Sequence, residues 1–344
     1  MKNNKRSVYG LTLEDWEDFV VGNGQPKFRA AQVFDWLHVK RVASLTEMVN
    51  VPKALRELIE RKFDFTSFEV VKRQESPDGT MKFLFRLADG NLIETVLMKY
   101  SYGYSICVTT QIGCRIGCQF CASSIGGLIR DLDAGEIVAQ VIYVGRDIGE
   151  RIGNVVVMGI GEPFENYDEL TKFIYIVNHD KGLNIGARHI TVSTSGIIPK
   201  IYDFAEDHRQ VGLAISLHAP NDRLRSRIMK INRAYPLADL MKAAKAYVKT
   251  TNRRVTFEYG MMKDVNDTDE CAYQLVRLVK GLNCHINLIP INYVEEYGIA
   301  RSPKKRVEEF EEILKNQNIN VTIRRELGAN IDAACGQLRA GESE

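Results

Sequence analysis

Short β-branched runs alternate with helical patterns of apolar residues over the C-terminal two-thirds of the chain. The predicted strands are 106–109, 154–158, 189–193, 212–216, 255–259, 285–289 and 320–323. The predicted helices between them include 134–144, 168–177, 237–248, 270–279 and 307–315. This alternation predicts a parallel sheet with right-handed crossovers. Because the units fall short of eight, the α/β pattern favours an incomplete (β/α) barrel, with functional groups at the carboxyl ends of its strands.

The first hundred residues follow a different pattern. Thr12 with Asp15 predicts a helix start, residues 28–39 repeat apolar side chains at helical spacing, and another helix is expected after Pro52. Three segments of alternating polarity then predict a small antiparallel meander. These segments are 67–72, 81–87 and 91–98. The predicted division is a small α+β N-terminal accessory domain at 1–99, a core at 100–330 and a tail at 331–344.

Composition adds few constraints. The 344 residues are 45% hydrophobic and 26% charged, as in an ordinary globular protein, and no apolar stretch approaches the roughly 20 residues of a membrane-spanning helix. No apolar signal core follows the basic N-terminus, so we expect a cytoplasmic protein with no membrane partner. Forty-six basic against 44 acidic residues give a formal charge of +2, so a nucleic-acid partner must be argued from local patches.

Three cysteines lie close together, directly after the first strand of the predicted barrel. Cys114, Cys118 and Cys121 have the spacing of metal ligands, and an odd total of seven cysteines argues against a disulfide framework. Zinc with a fourth ligand from elsewhere is one interpretation. The position at a strand end, and the lack of a second Cys-x2-Cys or His-x3-His pair in the sequence, favour an iron–sulfur cluster with one iron open to a small molecule.

The Cys-x3-Cys-x-Phe-Cys block resembles the radical S-adenosylmethionine (SAM) superfamily, in which three cysteines hold a 4Fe–4S cluster and SAM chelates the open iron. The surrounding sequence is similar to one branch, the RlmN-type adenine carbon-2 RNA methyltransferases. Further blocks match that branch in order at 93–98, 157–163, 216–221 and 332–338. The resemblance implies an incomplete barrel of the radical SAM type, one 4Fe–4S cluster and two SAM molecules per turnover.

A glycine-containing segment, Gly159-x-Gly161-Glu162, follows a predicted strand. A dinucleotide-binding fingerprint requires a third glycine where this chain has Phe164. The resemblance instead implies that Gly161 and Glu162 bind the methionine part of SAM. It places further SAM contacts at or just beyond strand ends, although each of these residues alone is equally typical of a turn, a cap or a structural position. They are Ser193, Ser216, Leu217, His218 and Asn292.

Two other cysteines acquire roles only through the resemblance. Taken alone, Cys335 is an accessible tail thiol and Cys107 is a small core residue. In the RlmN-type branch the tail cysteine carries the methyl group as S-methylcysteine, and the strand cysteine resolves the product through a transient disulfide. Glu94, otherwise an exposed strand carboxylate, is the implied proton acceptor. Cys271 and Cys284 have no ligand spacing and are predicted to be structural.

The implied reaction has two stages, because carbon 2 of adenine is electron-poor and direct methyl transfer from SAM to it fails. Cys335 takes a methyl group from one SAM, and a 5′-deoxyadenosyl radical from a second SAM abstracts hydrogen from that methyl group. The resulting carbon radical adds to adenine. Glu94 removes the ring proton, and Cys107 attacks Cys335 to release the methylated RNA.

The implied substrates are 23S rRNA near the peptidyl transferase centre and tRNAs next to the anticodon, with a flavodoxin- or ferredoxin-like electron donor and a monomeric enzyme. A basic run at 222–233, with smaller clusters at 304–306 and 324–325, is either a solvated face or a phosphate-binding surface. The target adenine has to leave its stack to react. The alternatives are a Cfr-type enzyme that methylates carbon 8 and a non-catalytic zinc or iron–sulfur RNA-binding module.

Overall fold

The computed structural model describes residues 5–65, 68–331, 333 and 336–338. Its helices are α1 Leu13–Gly22, α2 Phe28–Phe34, α3 Lys53–Lys62, α4 Ala134–Asp147, α5 Tyr167–Asn178, α6 Ile198–Asp207, α7 Asp222–Ile228, α8 Leu237–Thr251, α9 Asp269–Val279 and α10 Lys304–Asn316. Its strands are β1 Arg6–Ser7, β2 Phe63–Asp64, β3 Glu69–Glu75, β4 Met81–Arg86, β5 Leu92–Tyr100, β6 Gly103–Cys107, β7 Gln111–Gly113, β8 Leu128–Asp131, β9 Ile152–Val157, β10 Ile190–Thr194, β11 Gly212–Ser216, β12 Val255–Met261, β13 Cys284–Pro290 and β14 Val321–Ile323. Within these residues, no helix is both long enough and apolar enough to span a bilayer.

A ten-stranded sheet organises the molecule, in the order β14-β13-β12-β11-β10-β9-β6-β5-β4-β3. The strands from β6 through β14 in that order pair in parallel, and helices α4, α5, α6, α8, α9 and α10 occur between or beside them along the chain. All seven predicted barrel strands are present, and they bury β-branched and aromatic side chains against the helices on the outer face. The order begins at β14 and ends at β3, as in an incomplete barrel.

The predicted antiparallel meander continues the barrel sheet. Strands β3, β4 and β5 pair antiparallel with one another, and β5 pairs antiparallel with β6 through the register Val96↔Cys107. The predicted boundary between residues 99 and 100 therefore falls inside β5, one residue before its end. This continuity brings side chains of the first hundred residues onto the inner face of the barrel.

The N-terminal helices follow the sequence signals closely. The Thr12 hydroxyl accepts a hydrogen bond from the backbone N–H of Asp15, whose side chain accepts one from the N–H of Thr12, so a capping box starts α1. The single helix predicted over 28–39 is α2 followed by a π-helical turn, Asp35–Val39. Helices α6 and α7 and the β7–β8 hairpin were not predicted, because each is short and its apolar pattern spans few turns.

Hairpin β7–β8 depends on a close approach of two backbone segments. A Cβ atom on Gly113, whose φ is +76°, would overlap the carbonyl oxygen of Gly127, so both steric space and backbone conformation require glycine. Gly90, in the turn between β4 and β5, has a similar φ of +86° but has open space around it. The two glycines therefore separate the cost of a left-handed backbone from the cost of a clash.

We predict that Gly113→Ala lowers the free energy of unfolding by clearly more than Gly90→Ala, which should cost about 1–2 kcal/mol for the left-handed conformation alone. Urea unfolding of the two variants measures the difference. Equal losses would show that the loop relaxes around the added methyl group at no further cost.

Candidate active site

The three clustered cysteines lie in the loop that joins β7 to β8. The backbone N–H of Cys114 donates to the carbonyl of Gly127 over 3.1 Å, and that of Cys121 donates to the carbonyl of Cys118 over 3.3 Å. All three side chains line one cavity at the carboxyl ends of the parallel strands, which we call the cysteine cavity. Burial raises the pKa of Cys114 to about 12 and that of Cys118 well above its usual value, and the neighbouring thiols raise both further.

This donor set fits an iron–sulfur cluster in type and number. Buried thiolates require a compensating positive charge, and the irons of a cluster supply it. Among the described residues, no group of three or more His, Cys, Asp or Glu side chains has the geometry to hold a single metal ion. The thiolates of a cluster bind separate irons, so they do not need to converge on one point.

Glu162 is almost fully buried in the wall of the cysteine cavity, and its carboxylate accepts three hydrogen bonds. One oxygen accepts from the Thr194 hydroxyl (2.7 Å) and the Phe164 N–H (3.1 Å), and the other accepts from the Ser195 N–H (2.6 Å). Burial raises the pKa of the Glu162 carboxyl. A Cβ on Gly161 (φ +111°) would come within 2.6 Å of the Gln111 side chain, so glycine permits this approach. The carboxylate thus joins the end of β10 to the loop after β9.

Four of the other predicted SAM contacts line the cysteine cavity, and one does not. Ser193, Ser216, His218 and Asn292 are in its wall. The Leu217 side chain is fully buried in the main hydrophobic core instead, so only its backbone is near the cavity. Ser216, Leu217 and His218 are consecutive in the sequence. Because side chains alternate between the two faces at the end of a strand, the Leu217 side chain lies on the opposite face from its neighbours.

His218 has a defined protonation state. Its Nδ1 accepts a hydrogen bond from the Gly260 N–H over 2.8 Å, and burial, aided by the positive charge of Arg225, lowers its pKa to about 3. A neutral ring whose Nδ1 accepts carries its proton on Nε2. His218 also has a left-handed backbone, with φ of +55°, and its ring is 4.7 Å from that of Phe120 in an edge-to-face contact. The residue therefore offers a single N–H donor in a fixed position.

Arg225 is completely buried beneath the cavity, although it belongs to the basic run that the sequence suggested for phosphate binding. Its guanidinium donates to the carbonyls of Ser195, Ser216 and Leu217 and to Oδ1 of Asn232, over distances of 2.6–3.1 Å. Burial lowers its pKa to about 10, against the attraction of the Cys118 thiolate. The phosphate-binding interpretation is therefore wrong for Arg225, whereas Arg223, Arg227 and Lys230 are exposed.

Sequence reasoning also missed a polar group on the inner face of the sheet. Glu258 in β12 is 5% exposed and lines the cysteine cavity, and its Oε2 accepts from the Nδ2 of Asn287 over 2.8 Å. Arg324, just after β14, lines the same cavity. The available signal was a carboxylate inside an otherwise apolar predicted strand, 255–259, which a buried strand tolerates only with a partner.

Cys107 and Glu94 lie on the same inner face. Cys107 is buried and lines a second cavity, the Cys107 cavity, with Val96, Met98, Tyr100 and Ala333 among its walls. Glu94 is not an exposed strand carboxylate: it is 5% exposed and forms an ion pair with Lys82 of β4, with Nζ 3.0 Å from Oε1. It lies two residues before Val96, the register partner of Cys107, so its side chain projects from the same face.

Described residues on both sides of Cys335 contact these cavities, while Cys335 itself lies outside the described residues. Before it, Ile331 and Ala333 pack in one apolar cluster with Cys107. After it, Gly336 lines the cysteine cavity, and its carbonyl accepts from the Ala122 N–H over 2.8 Å. The Leu338 carbonyl accepts from the Ser123 hydroxyl over 2.7 Å. The tail is therefore attached to the loop that carries the cluster cysteines.

Two family models match the chain. Residues 108–276 match the radical SAM superfamily, and residues 7–64 match the ribosomal RNA large subunit methyltransferase N-terminal domain. A solved radical SAM methyltransferase from Sphaerobacter thermophilus is 44% identical, with a TM-score of 0.94 over 98% of this chain and 100% of its own. Fold and site together define a radical SAM methyltransferase, a class that uses a 4Fe–4S cluster and SAM.

Curated relatives narrow the class. Probable dual-specificity RNA methyltransferases RlmN from Bacillus cytotoxicus and from Bacillus thuringiensis subsp. konkukian are each 58% identical over 345 aligned residues, which cover 99% of this chain and 95% of theirs. The chain belongs to the RlmN family of dual-specificity RNA methyltransferases.

We predict that Arg225→Met lowers the free energy of unfolding by about 3 kcal/mol or more, because it leaves three buried carbonyl oxygens without their donor. The matched control is Arg223→Met on the same helix, which should change stability by less than about 0.5 kcal/mol because Arg223 is exposed. Urea unfolding of the two variants measures both values. A loss for Arg225→Met as small as the control's would show that water or another donor replaces the guanidinium.

Proposed function

We propose that this protein methylates carbon 2 of adenosine in 23S rRNA and in tRNAs, at the nucleotide 3′-adjacent to the anticodon, by way of a methylated Cys335. The observation that carries the proposal is the position of the tail. Ala333, two residues before Cys335, lines the Cys107 cavity, and Gly336, the residue after it, lines the cysteine cavity. A methyl-carrying cysteine has to react near the cluster, where the radical forms, and near Cys107, which releases the product.

The residues divide the chemistry among them. Cys114, Cys118 and Cys121 would hold the 4Fe–4S cluster, which would supply the electron for reductive cleavage of SAM. Cosubstrate binding falls to the walls of the cysteine cavity. Side chains and backbone groups there position SAM, with the Leu217 contribution limited to its backbone. These residues are Gly161, Glu162, Ser193, Ser216, Leu217, His218 and Asn292.

Cys335 and Cys107 act as a pair of thiols. Cys335 accepts a methyl group from one SAM as a thioether. Loss of one hydrogen atom from that methyl group to the 5′-deoxyadenosyl radical of a second SAM would give a carbon radical, which adds to carbon 2 of adenine with the sulfur still attached. Glu94, which is ion-paired with Lys82, accepts the ring proton when the adduct radical loses one electron, which the oxidised cluster would take up. The Cys107 thiolate then attacks the sulfur of Cys335, so that the disulfide forms and the carbon–sulfur bond breaks; the released carbon takes up a proton and becomes the methyl group of the RNA.

Partners follow from the substrate class. The exposed residues Arg223, Arg227 and Lys230 are next to the site, and Lys230 approaches Gly117 in the cysteine loop, so they are suited to RNA phosphates. We place the protein in the cytoplasm, where rRNA and tRNA are found, as a monomer with a low-potential flavodoxin- or ferredoxin-like electron donor. We assign further RNA contacts to the accessory domain at 1–99 and the methyl-carrier cysteine to the tail at 331–344. A Cfr-type carbon-8 activity is disfavoured because the relatives are RlmN proteins.

The thiol pair gives a direct test of the proposal. Under anaerobic assay with a reductant, Cys335→Ala should form no 2-methyladenosine and no adduct, whereas Cys107→Ala should accumulate RNA covalently bound to protein. Cys271→Ala, which alters a buried cysteine of α9, should match the unaltered protein. Nucleoside mass spectrometry and a denaturing gel measure product and adduct. Full methylation by Cys335→Ala would reject the mechanism, and 8-methyladenosine as the product would reject the position.

Glu94 can be tested separately. We expect Glu94→Gln to lower the rate of product formation about 10²- to 10⁴-fold, because the amide cannot accept the ring proton, while SAM is still consumed. Glu75→Gln, on the exposed side of β3, is the control. Unchanged turnover in Glu94→Gln would assign proton removal to another group.

A further inference from the structure

Glu258 belongs to a row of polar side chains that crosses three neighbouring strands. Ser216 pairs in register with Glu258, and Glu258 pairs with Asn287. The Asn287 amide donates to one oxygen of the Glu258 carboxylate, so the carboxylate is held in one orientation. It lines the cysteine cavity with only 5% of its surface exposed. A buried carboxylate of this kind is costly unless a ligand or partner uses it.

Arg324 lies where the two cavities meet. It lines both the cysteine cavity and the Cys107 cavity. Of the described residues that line these cavities, Ile289 and Asn292 are the only others that line both. Its backbone N–H donates to the Leu288 carbonyl over 2.8 Å, which fixes the residue beside β13. Its positive charge acts on Glu258, since it opposes the rise in pKa that burial causes there.

This junction is where the proposed reaction needs its substrate base. The target carbon has to be reached from the cluster side, where the radical originates, and from the Cys107 side, where the product is released. The inner wall at the junction offers a carboxylate, which only accepts hydrogen bonds, and a guanidinium, which only donates them. Adenine presents the complementary pair on its Watson–Crick edge, a 6-amino donor next to the N1 acceptor. A 6-oxo purine presents the reverse pair.

We propose that Glu258 and Arg324 form the subsite that recognises the Watson–Crick edge of the target adenine, with Glu258 accepting from the 6-amino group and Arg324 donating to N1. This inference rests on the proposed function and names its specificity determinants. Carbon 2 is bonded to N1, so it lies on the Arg324 side of the base, toward the Cys107 cavity. SAM also contains an adenine, so the test must distinguish the two sources.

The test measures RNA binding without turnover. The reconstituted holoenzyme, without reductant, is titrated with synthetic anticodon stem-loops that carry adenosine or inosine at the target position. The unaltered protein should bind the adenosine stem-loop roughly tenfold more tightly or better. In Glu258→Gln the Asn287 amide holds the new carbonyl oxygen and turns the amide nitrogen toward the cavity, so the preference should vanish or reverse toward inosine. An unchanged preference in Glu258→Gln would overturn the subsite.

Two further measurements identify which edge of the base is recognised and whether the base at Glu258 is the target adenine or the adenine of SAM. A stem-loop with 1-deazaadenosine, which lacks the N1 acceptor, should bind as weakly as the inosine stem-loop, whereas 7-deazaadenosine should bind like adenosine. Glu258→Gln should bind labelled SAM within about twofold of the unaltered protein in equilibrium dialysis. A tenfold loss of SAM binding with an unchanged adenosine preference would assign Glu258 to the cosubstrate and overturn the proposal.

Control measurements distinguish failure of the subsite from misfolding of the variant and from failure of the proposed methylation. Glu270→Gln makes the same substitution on the exposed side of α9 and should match the unaltered protein in every arm. Iron content per chain and melting temperature show whether Glu258→Gln folds. If the unaltered protein forms no 2-methyladenosine in the adenosine stem-loop, the proposed function fails. The binding preference still decides the subsite, because it is measured without methyl transfer.

Discussion

A single buried guanidinium fixes the geometry on which the active site depends. Arg225 joins the carbonyls that end β10 and β11 to the residues after β11, and its partners are all neutral oxygens. Its positive charge is therefore not cancelled within its own hydrogen bonds, and it opposes the effect of burial on the pKa of Cys118. Such a charge is expensive to bury alone. It stabilises a site that gathers negative thiolates, so the carboxyl ends of the sheet and the cysteine loop depend on each other.

The antiparallel strands matter because they extend the inner face of the barrel. A parallel barrel alone would present Cys107 at an open edge of β6. Pairing with β5 covers that edge and brings Val96 opposite Cys107, with Glu94 and Lys82 buried nearby. The thiol, the carboxylate and the tail residues Ile331 and Ala333 thus share one side of the sheet. The N-terminal segment therefore supplies part of the inner face of the sheet, and for this reason a division after residue 99 cuts through β5.

Local periodicity predicted the parallel strands and the long helices, because both patterns are contained within a few turns or pleats. The helix start at Thr12 was predictable because its signal, Thr12 with Asp15, is equally local. The partners of Arg225 come from three separate segments, and nothing in the basic run around it distinguishes it from exposed Arg223. The matched block that contains Leu217 does not show which part of the residue faces the cavity, whereas the structure places its side chain in the core. Pairings between separate strands, such as that of Glu94 with Lys82, leave no periodic pattern in the sequence from which they could be predicted.

The cysteines lie in two separate cavities, and this separation matches the different roles that we propose for them. A fourth thiolate on the cluster would occupy the iron that SAM needs, so Cys107 has to stay near the site without reaching the iron. The fold achieves this by placing Cys107 in an apolar cluster with Val96, Met98 and Ile160, in a cavity distinct from that of Cys114, Cys118 and Cys121. Two described tail residues line different cavities, Ala333 the Cys107 cavity and Gly336 the cysteine cavity. In the mechanism we propose, a thiol between these two residues serves the cluster side and the Cys107 side in turn.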